Sequence, residues 1–378
     1  MFPFSAIVGQ EDAKLALMLV AVSPDIGGVL LSGVKGTGKS TLIRAFPSIL
    51  PDVEVVAGCP YNCSPRNPEE MCTNCRAKFE AGEELPIAKV PAKVVTVPLG
   101  TTEDRLLGTI DVETLLKTGE VKFEKGLLAS ANRQVLYIDE VNLLPDNITD
   151  DILDSAASGV NTVEREGISI THPAKFSLIG TMNPEEGQLR PQILDRFALS
   201  VKIDTIKSPK MRLEIVNRAL AYSSATEKFE RTFGRADEKL KERISLSRNR
   251  LPDVKIPRWA IDSVATAMAV LGVDGQRPDI VTIKSAIAYA ALEGDDRVEK
   301  RHIEKVAPLA VCHRTRNGGF DPPPTKDEVL KTLSNAIDKA KKEGTATDMM
   351  MMRELAEFLI EKAMQAIEKT AEDIKKNR

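Results

Sequence analysis

The amino-acid sequence predicts an α/β core, a parallel sheet flanked by helices and carrying β-hairpin inserts, followed by an all-helical C-terminal region. Three observations carry this prediction. Over the first ~205 residues, short apolar runs that turn polar at their C-terminal ends alternate with helical patterns. A glycine-rich turn, GVKGTGKS at 33–40, joins one such run directly to a helix. From about residue 207 onward only the helical period remains.

In chain order, VGQEDAKLALMLVAV (8–22) predicts an opening amphipathic helix, and GGVLLSG (27–33) a buried strand closed by glycine. KSTLIRAFPSIL (39–50) predicts a helix that stops near Pro51. VVTVPLG (94–100), QVLYIDEVN (134–142) and FSLIGTMN (176–183) are further strand candidates, apolar first and polar at the carboxyl end. Ligands of open α/β sheets bind off those ends, so their polar residues are the first functional candidates. NTVEREGISITHPAKF (161–176) alternates about a Glu-Gly turn and predicts a β-hairpin. The core therefore spans 1–206. Residues 207–252 read as a linking helical segment rich in Lys and Arg. Residues 253–320 read as a small helical domain, and 321–378 as a charged helical tail that begins at the PPP of 322–324 and contains the run MMMM at 349–352.

Composition narrows the function classes. Hydrophobic residues make up 42% of the 378-residue chain and charged residues 28%, as in ordinary globular proteins. A net charge of −3 supplies no field toward nucleic acid or an anionic membrane. Aromatics are 4%, with Trp259 the single tryptophan, which argues against base-stacking platforms. The start MFPFSAIVGQ lacks a basic segment followed by an apolar one, so a cytoplasmic location is expected. Five cysteines in such a chain point to metal or redox work and not to a disulfide framework.

GVKGTGKS fits the phosphate-binding pattern G-x-x-x-x-G-K-[ST]. Gly33, Val34, Lys35, Gly36, Thr37 and Gly38 would wrap the phosphates of ATP with backbone N–H groups, at a turn only glycines close tightly. Lys39 brings a point charge to the outer phosphates, Ser40 a hydroxyl to Mg²⁺, and Thr41 continues the helix start. VLYIDE (135–140) delivers Asp139 and Glu140 to a strand's carboxyl end. Asp139 would complete the Mg²⁺ shell with Ser40, and Glu140 would polarise the attacking water. Asn183, in TMNP, could hold that water, or else close a plain turn before proline. Arg190 and Arg196 in LRPQILDRF are candidates for stabilising charge on the transferred phosphoryl group, often across a subunit boundary.

The stretch GCPYNCSPRNPEEMCTNC (58–75) holds four of the five cysteines. Cys59, Cys63, Cys72 and Cys75, spaced C-x3-C and C-x2-C, could close on zinc or grip a [4Fe–4S] cluster. Spacing alone does not separate these two, and redox disulfides or inert thiols are the alternative. Its proline and polar content leaves little apolar surface, so the loop's shape is expected to rest on thiolate–metal bonds and the loop to stand away from the phosphates. His172, His302 and His313 lack ligand spacing and read as surface or packed residues.

Taken together, IVGQEDAKLAL, GVKGTGKST, GTMNPEEGQLRPQILDRFALSV and GQRPDIVTIKSAIAYAALEG resemble the AAA+ ATPase subunit of magnesium chelatase, the smaller "I" subunit, and the related subunit of cobalt chelatase. The resemblance covers about 1–315. It implies an AAA+ core with a helical lid and a homo-oligomeric ring, a hexamer in that family. It further implies a partner subunit with an integrin-type domain and a large tetrapyrrole-binding subunit, together driving Mg²⁺ or Co²⁺ into a tetrapyrrole. It makes Arg196 the finger acting on a neighbour's ATP and Arg277 the second sensor on the lid. It also places a helix-2 insert at 109–126 and the pre-sensor hairpin at 161–176. The four-cysteine set and the tail after 322 depart from the family's pattern. Two other readings compete: a related AAA+ remodelling ATPase of metalloenzyme maturation, and a nucleic-acid motor, which the acidity and scarce aromatics disfavour.

Overall fold

The computed structural model describes residues 1–110, 117, 123–165 and 168–342. Its strands are β1 (Gly28–Ser32), β2 (Val53–Val56), β3 (Ile87–Val90), β4 (Val94–Val97), β5 (Gly108–Ile110), β6 (Phe123–Lys125), β7 (Val135–Ile138), β8 (Val160–Arg165), β9 (Ile168–Pro173), β10 (Ser177–Met182) and β11 (Phe197–Lys202). Five of them form one sheet in the order β11-β1-β10-β7-β4. Every pair in it is parallel. All five carboxyl ends therefore share one edge. Because helices cover both faces, the inner strands read as unbroken apolar runs; all four residues of β7 are buried. The FALSVK run follows its helix with no turn signal, so β11 was not expected from the sequence.

The helix Glu11–Val22 and the helix Lys39–Ala45 pack on one face of the sheet. On that same face the core runs without interruption into the C-terminal helices. Leu17, Leu31 and Ile43 belong to one buried cluster with Ile244, Val264, Ala286, Ile303 and Leu333. The segment 207–252 comprises two long helices, Pro209–Ser224 and Thr226–Arg250. The second of these is tied to the core by Arg248 Nε donating to the Ala21 carbonyl at 2.8 Å. Three helices, Arg258–Leu271, Arg277–Glu293 and Lys300–Val311, follow, and Lys284 Nζ donates to the Asp25 carbonyl at 3.0 Å. One buried cluster thus runs across both positions: near 206 the chain passes from strand to helix, and near 252 from one helix to the next. The opposite face has its own cluster, with Leu30, Leu136, Ile138, Ile152 and Leu178 at its centre.

Three two-stranded ribbons leave the sheet: β2 with β3, β5 with β6, and β8 with β9. The last two are the roots of the segments expected at 109–126 and 161–176. Most of 111–122, and residues 166–167 at the hairpin turn, lie outside the described residues, as does the MMMM run. Residues 326–342 are helical, the first part of the expected tail. Among the described residues no helix is long and apolar enough to cross a membrane.

Candidate functional site

β1 ends at Ser32, and the chain turns through 33–38 before the helix at Lys39. Gly36 and Gly38 take φ of 81° and 85°, where a side chain is strained, and a Cβ on either would meet open space. That space is the cradle. Gly33 is glycine for a different reason: a Cβ there would drive into the Ile203 carbonyl. Lys39 Nζ folds back to donate to the carbonyls of Gly33 and of Val34, the latter at 2.9 Å. Burial lowers the Lys39 pKa, while Asp139, Glu140 and Glu186 act in the opposite sense. The residues fit the triphosphate of ATP: open N–H groups, a cation, and a hydroxyl at the helix start.

Asp139 and Glu140 follow the end of β7, next to β10 in the sheet. Asp139 Oδ1 accepts from the Tyr137 hydroxyl and from Thr181 Oγ1, each at 2.7 Å. Tyr137 Oη also lies 3.4 Å from Ser40 Oγ, so the two Mg²⁺-ligand candidates flank one hydroxyl. Burial is the main force that pushes the Tyr137 pKa up to about 12, which keeps it a donor. The Glu140 N–H donates to Thr181 Oγ1 at 3.1 Å, and Glu140 adopts φ 54°, a left-handed conformation that turns its side chain off the strand axis. Sequence reasoning missed Tyr137 and Thr181. The available signal was two polar groups, both buried, inside otherwise apolar runs.

Asn183 follows β10 beside the phosphate loop, since the Gly33 N–H donates to the Met182 carbonyl at 3.1 Å. Its side-chain oxygen accepts from the Glu185 N–H at 3.3 Å, so it also makes the plain turn weighed above. Its amide nitrogen and the second lone pair of Oδ1 are left to hold a water.

Arg196 is elsewhere. It precedes Phe197, which pairs with Gly28 at the start of β1, whereas the phosphate loop follows the end of β1. About four residues of strand, roughly 13 Å, separate the two levels. Arg196 Nη1 donates to Asp154 Oδ1 at 2.6 Å, and Arg190 pairs with Asp146 at 2.8 Å. Arg277 is brought to the same place: its Nη1 donates to the Asp195 carbonyl at 2.9 Å. Arg314, buried, joins this point by donating to the carbonyls of Phe197 and Ala198 at 3.0 and 3.2 Å. The lid therefore sets Arg277 beside Arg196 at the far end of β1 from its own phosphate loop.

The four cysteines converge. Their Sγ atoms all lie within 4.8 Å of one another, with Cys63, Cys72 and Cys75 buried. One tetrahedral ion at a Zn–S distance of ~2.3 Å needs sulfurs about 3.8 Å apart. An iron–sulfur cube puts each thiolate on a different iron and so needs them wider. The spread of the four sulfurs is closer to what one tetrahedral ion needs. The Cys72 N–H donates to Cys63 Sγ at 3.0 Å, a bond a metal-bound thiolate accepts well. Hydrogen bonds from Cys63 and Cys72 hold the Cys59 thiol low, while burial above all pushes Cys75 up to about 12. Four neighbouring thiols thus do not ionise together without a cation. Contrary to the expectation of little apolar surface, the loop has a small core of its own: Val56, Met71 and Leu85 pack with the three buried cysteines. These residues are scattered among polar ones and meet only when β2 pairs with β3 around the helix Thr73–Glu80.

The loop also lies far from the phosphates, despite its nearness in sequence. The helix from Lys39 carries the chain to the opposite edge of the sheet, where β4, β7 and β10 begin. There Asn132, fully buried, donates from Nδ2 to the Tyr61 carbonyl at 2.7 Å and accepts the Lys175 N–H at 3.0 Å. Arg133 Nε pairs with Glu70 at 3.2 Å. His172, expected to be unremarkable, is buried against Tyr61 of the loop. His302 caps its own helix, with Nε2 2.9 Å from Asp295.

Comparison with known proteins bears on the same residues. A family model for magnesium chelatase, subunit ChlI, matches residues 3–58; one for an AAA domain of the dynein-related subfamily matches 85–197; one for an AAA lid domain matches 261–333. The four-cysteine loop falls between the first two. The magnesium-chelatase subunit ChlI of Mesostigma viride is 49% identical over 315 residues, 83% of this chain and 88% of that protein. The ChlI homolog of Methanocaldococcus jannaschii is 45% identical over 334 residues, 88% of this chain and 91% of its own. A solved complex of magnesium-chelatase subunits BchI and BchD includes a chain 43% identical to this one, covering 88% of this chain and 99% of that one at a TM-score of 0.49.

Proposed function

Since the chain belongs to the magnesium-chelatase subunit ChlI family, we propose that it is the ATP-hydrolysing AAA+ motor of a chelatase that inserts Mg²⁺, or Co²⁺, into a tetrapyrrole. The observation that supports this reading is family membership together with the arrangement at the carboxyl ends of β1, β7 and β10. Lys39, Ser40 and Asp139 are assembled around an open cradle, and Glu140 is held off the strand beside them. ATP with its Mg²⁺ supplies a phosphoryl group whose transfer releases energy. The chain's part is to bind it through 33–41, to orient water with Glu140 and the Asn183 amide, and to neutralise developing charge.

That last task falls to a neighbour. Arg196 and Arg277 stand together at the end of β1 away from their own loop, so a ring, a hexamer in this family, would bring both against the next subunit's ATP. The partners are an integrin-domain D-type subunit and a large tetrapyrrole-binding subunit. The cysteine loop holds one structural zinc ion, distinct from the ion inserted, because four thiolates leave it no open position. The test is insertion itself. With D-type and large subunits, ATP, Mg²⁺ and a free-base porphyrin, this chain should produce the metalloporphyrin fluorescence shift, and the Glu140→Gln variant should not. ATP hydrolysis without insertion of either metal would count against the chelatase reading while leaving the ATPase reading in place.

A further inference from the structure

The cysteine loop, both inserted hairpins and the starts of two hydrolytic strands meet at one point. Tyr61 lies between Cys59 and Cys63 in the chain, so closing the four thiolates on one ion would restrain the backbone that carries its ring. That ring stacks on His172 of β9, with centroids 5.2 Å apart and planes 18° from parallel. Phe123 of β6 approaches the same imidazole at 6.1 Å. The hydrogen bonds define the tautomer: Asn161 Nδ2 of β8 donates to His172 Nε2 at 3.0 Å, and Nδ1–H donates to the Pro173 carbonyl at 3.0 Å. Asn161 Nδ2 also donates to the Leu107 carbonyl just before β5, at 3.0 Å. Lys125 Nζ of β6 reaches the Pro60 carbonyl of the loop at 3.3 Å. Tyr61 thus holds the root of β9 directly through His172, the same imidazole and the neighbouring Pro60 carbonyl reach β6, and Asn132 ties the Tyr61 backbone to the starts of β7 and β10.

We propose that the metal-bound loop is the anchor of both inserted hairpins, with Tyr61 as its positioning residue, so that nucleotide-driven movement of β7 and β10 reaches the inserts instead of being lost in their roots. This rests on the ATPase reading for its purpose but not for its geometry. Packed, hydrogen-bonded elements transmit displacement only while their contacts are stiff. A thiolate cage around one ion provides stiffness where the sheet has none to offer, outside its own edge.

Hydrogen exchange by mass spectrometry on the full-length protein tests this. Tyr61→Ala should keep one zinc per chain, leave exchange over 33–41 unchanged and keep ATP turnover within about twofold. Amides of 108–110, 123–125 and 168–173 should exchange about tenfold faster as their local opening becomes easier. Tyr61→Phe, which keeps the ring, should restore the wild-type rates. The difference between ADP-bound and AMP-PNP-bound protein at 168–173 should be present in wild type and lost in Tyr61→Ala, which simple local loosening would not produce. His172→Gln leaves the loop's own residues untouched and should reproduce the loosening, should the Ala variant lose its metal. Unchanged hairpin exchange in a zinc-loaded Tyr61→Ala protein overturns the proposal, as does a tenfold fall in turnover without any change at the hairpins. If wild type failed to hydrolyse ATP, the ATPase reading would fall, and nucleotide-free exchange would still decide the anchor.

Discussion

At the carboxyl ends of β1, β7 and β10 the glycine-rich turn faces open space, with Asp139 held behind it by Tyr137 and Thr181: Lys39 rests on two carbonyls, and nothing stands within 4 Å of a Cβ built at Gly36 or Gly38. At the amino ends of β7 and β10 the opposite holds, with buried Asn132 satisfied on both sides and a separate small core beneath the thiols. The contrast shows how one sheet serves two needs. An end that must admit and release a ligand keeps its polar groups pre-placed but unsaturated, whereas an end that must transmit force saturates them.

The largest expected effect comes from emptying the open end. Lys39→Ala should abolish detectable ATP binding, measured by fluorescent-nucleotide titration, and leave zinc content and melting temperature unchanged. A coupled loss of zinc would mean the two ends are not independent. Next, Glu140→Gln should retain ATP but lower kcat by about 10²–10⁴, the range typical of a positioned general base. Turnover near wild type would remove Glu140 from that role.

At the saturated end, replacing Cys72 and Cys75 by serine should release the zinc, seen by metal analysis, and lower the melting temperature by several degrees. The dissociation constant for ATP should stay within about threefold, because the loop's contacts are to the far edge of the sheet. A much weaker ATP affinity would show that the metal supports the phosphate loop after all.

The start of β11 is also an amino end, and buried ionisable groups pack there. His313 accepts no water-like freedom there: burial above all lowers its pKa to about 3, and its Nε2 lies 3.1 Å from the Phe197 carbonyl. The folded protein thus keeps this imidazole neutral while the unfolded chain protonates near pH 6.5. The unfolded state binds more protons between those values, so stability is complete above pH 6.5 and falls by about 1.4 kcal/mol per pH unit below it, down to about pH 3. Denaturant midpoints at pH 7.5 and 5.5 should differ accordingly, and His313→Gln should flatten that part of the slope. An unchanged slope would point to His172 or His302, both also lowered by burial, as the dominant groups.

Much of the open end was legible in the sequence, because a phosphate cradle needs contiguous glycines, a lysine and a hydroxyl, and a parallel strand must end on its acidic pair. Tyr137 and Thr181 were not, since each is a polar atom inside an apolar run and its partner lies on another strand. The clustering of the four cysteines was legible from spacing, but its place was not. Cys59 follows Lys39 closely in the chain, yet an intervening helix reverses its direction across the sheet. Tyr61, Asn132 and His172 gave no signal, because the contacts that join Tyr61 to the other two span 71 residues or more. The role of Arg277 was read from resemblance, and only the packed lid shows that it stands with Arg196.

If hydrolysis is completed between subunits, each open end is served by its neighbour's arginines. The direct measurement is ATP turnover after mixing two inactive variants, Lys39→Ala and Arg196→Ala, under conditions where subunit exchange is confirmed by mass spectrometry of cross-linked rings. In a random mixture, about a quarter of the interfaces pair an intact phosphate loop with an intact finger. Turnover should recover to roughly that fraction of the wild-type value, rising with protein concentration as rings assemble. Mixed rings that remain as inactive as either parent would contradict completion between subunits.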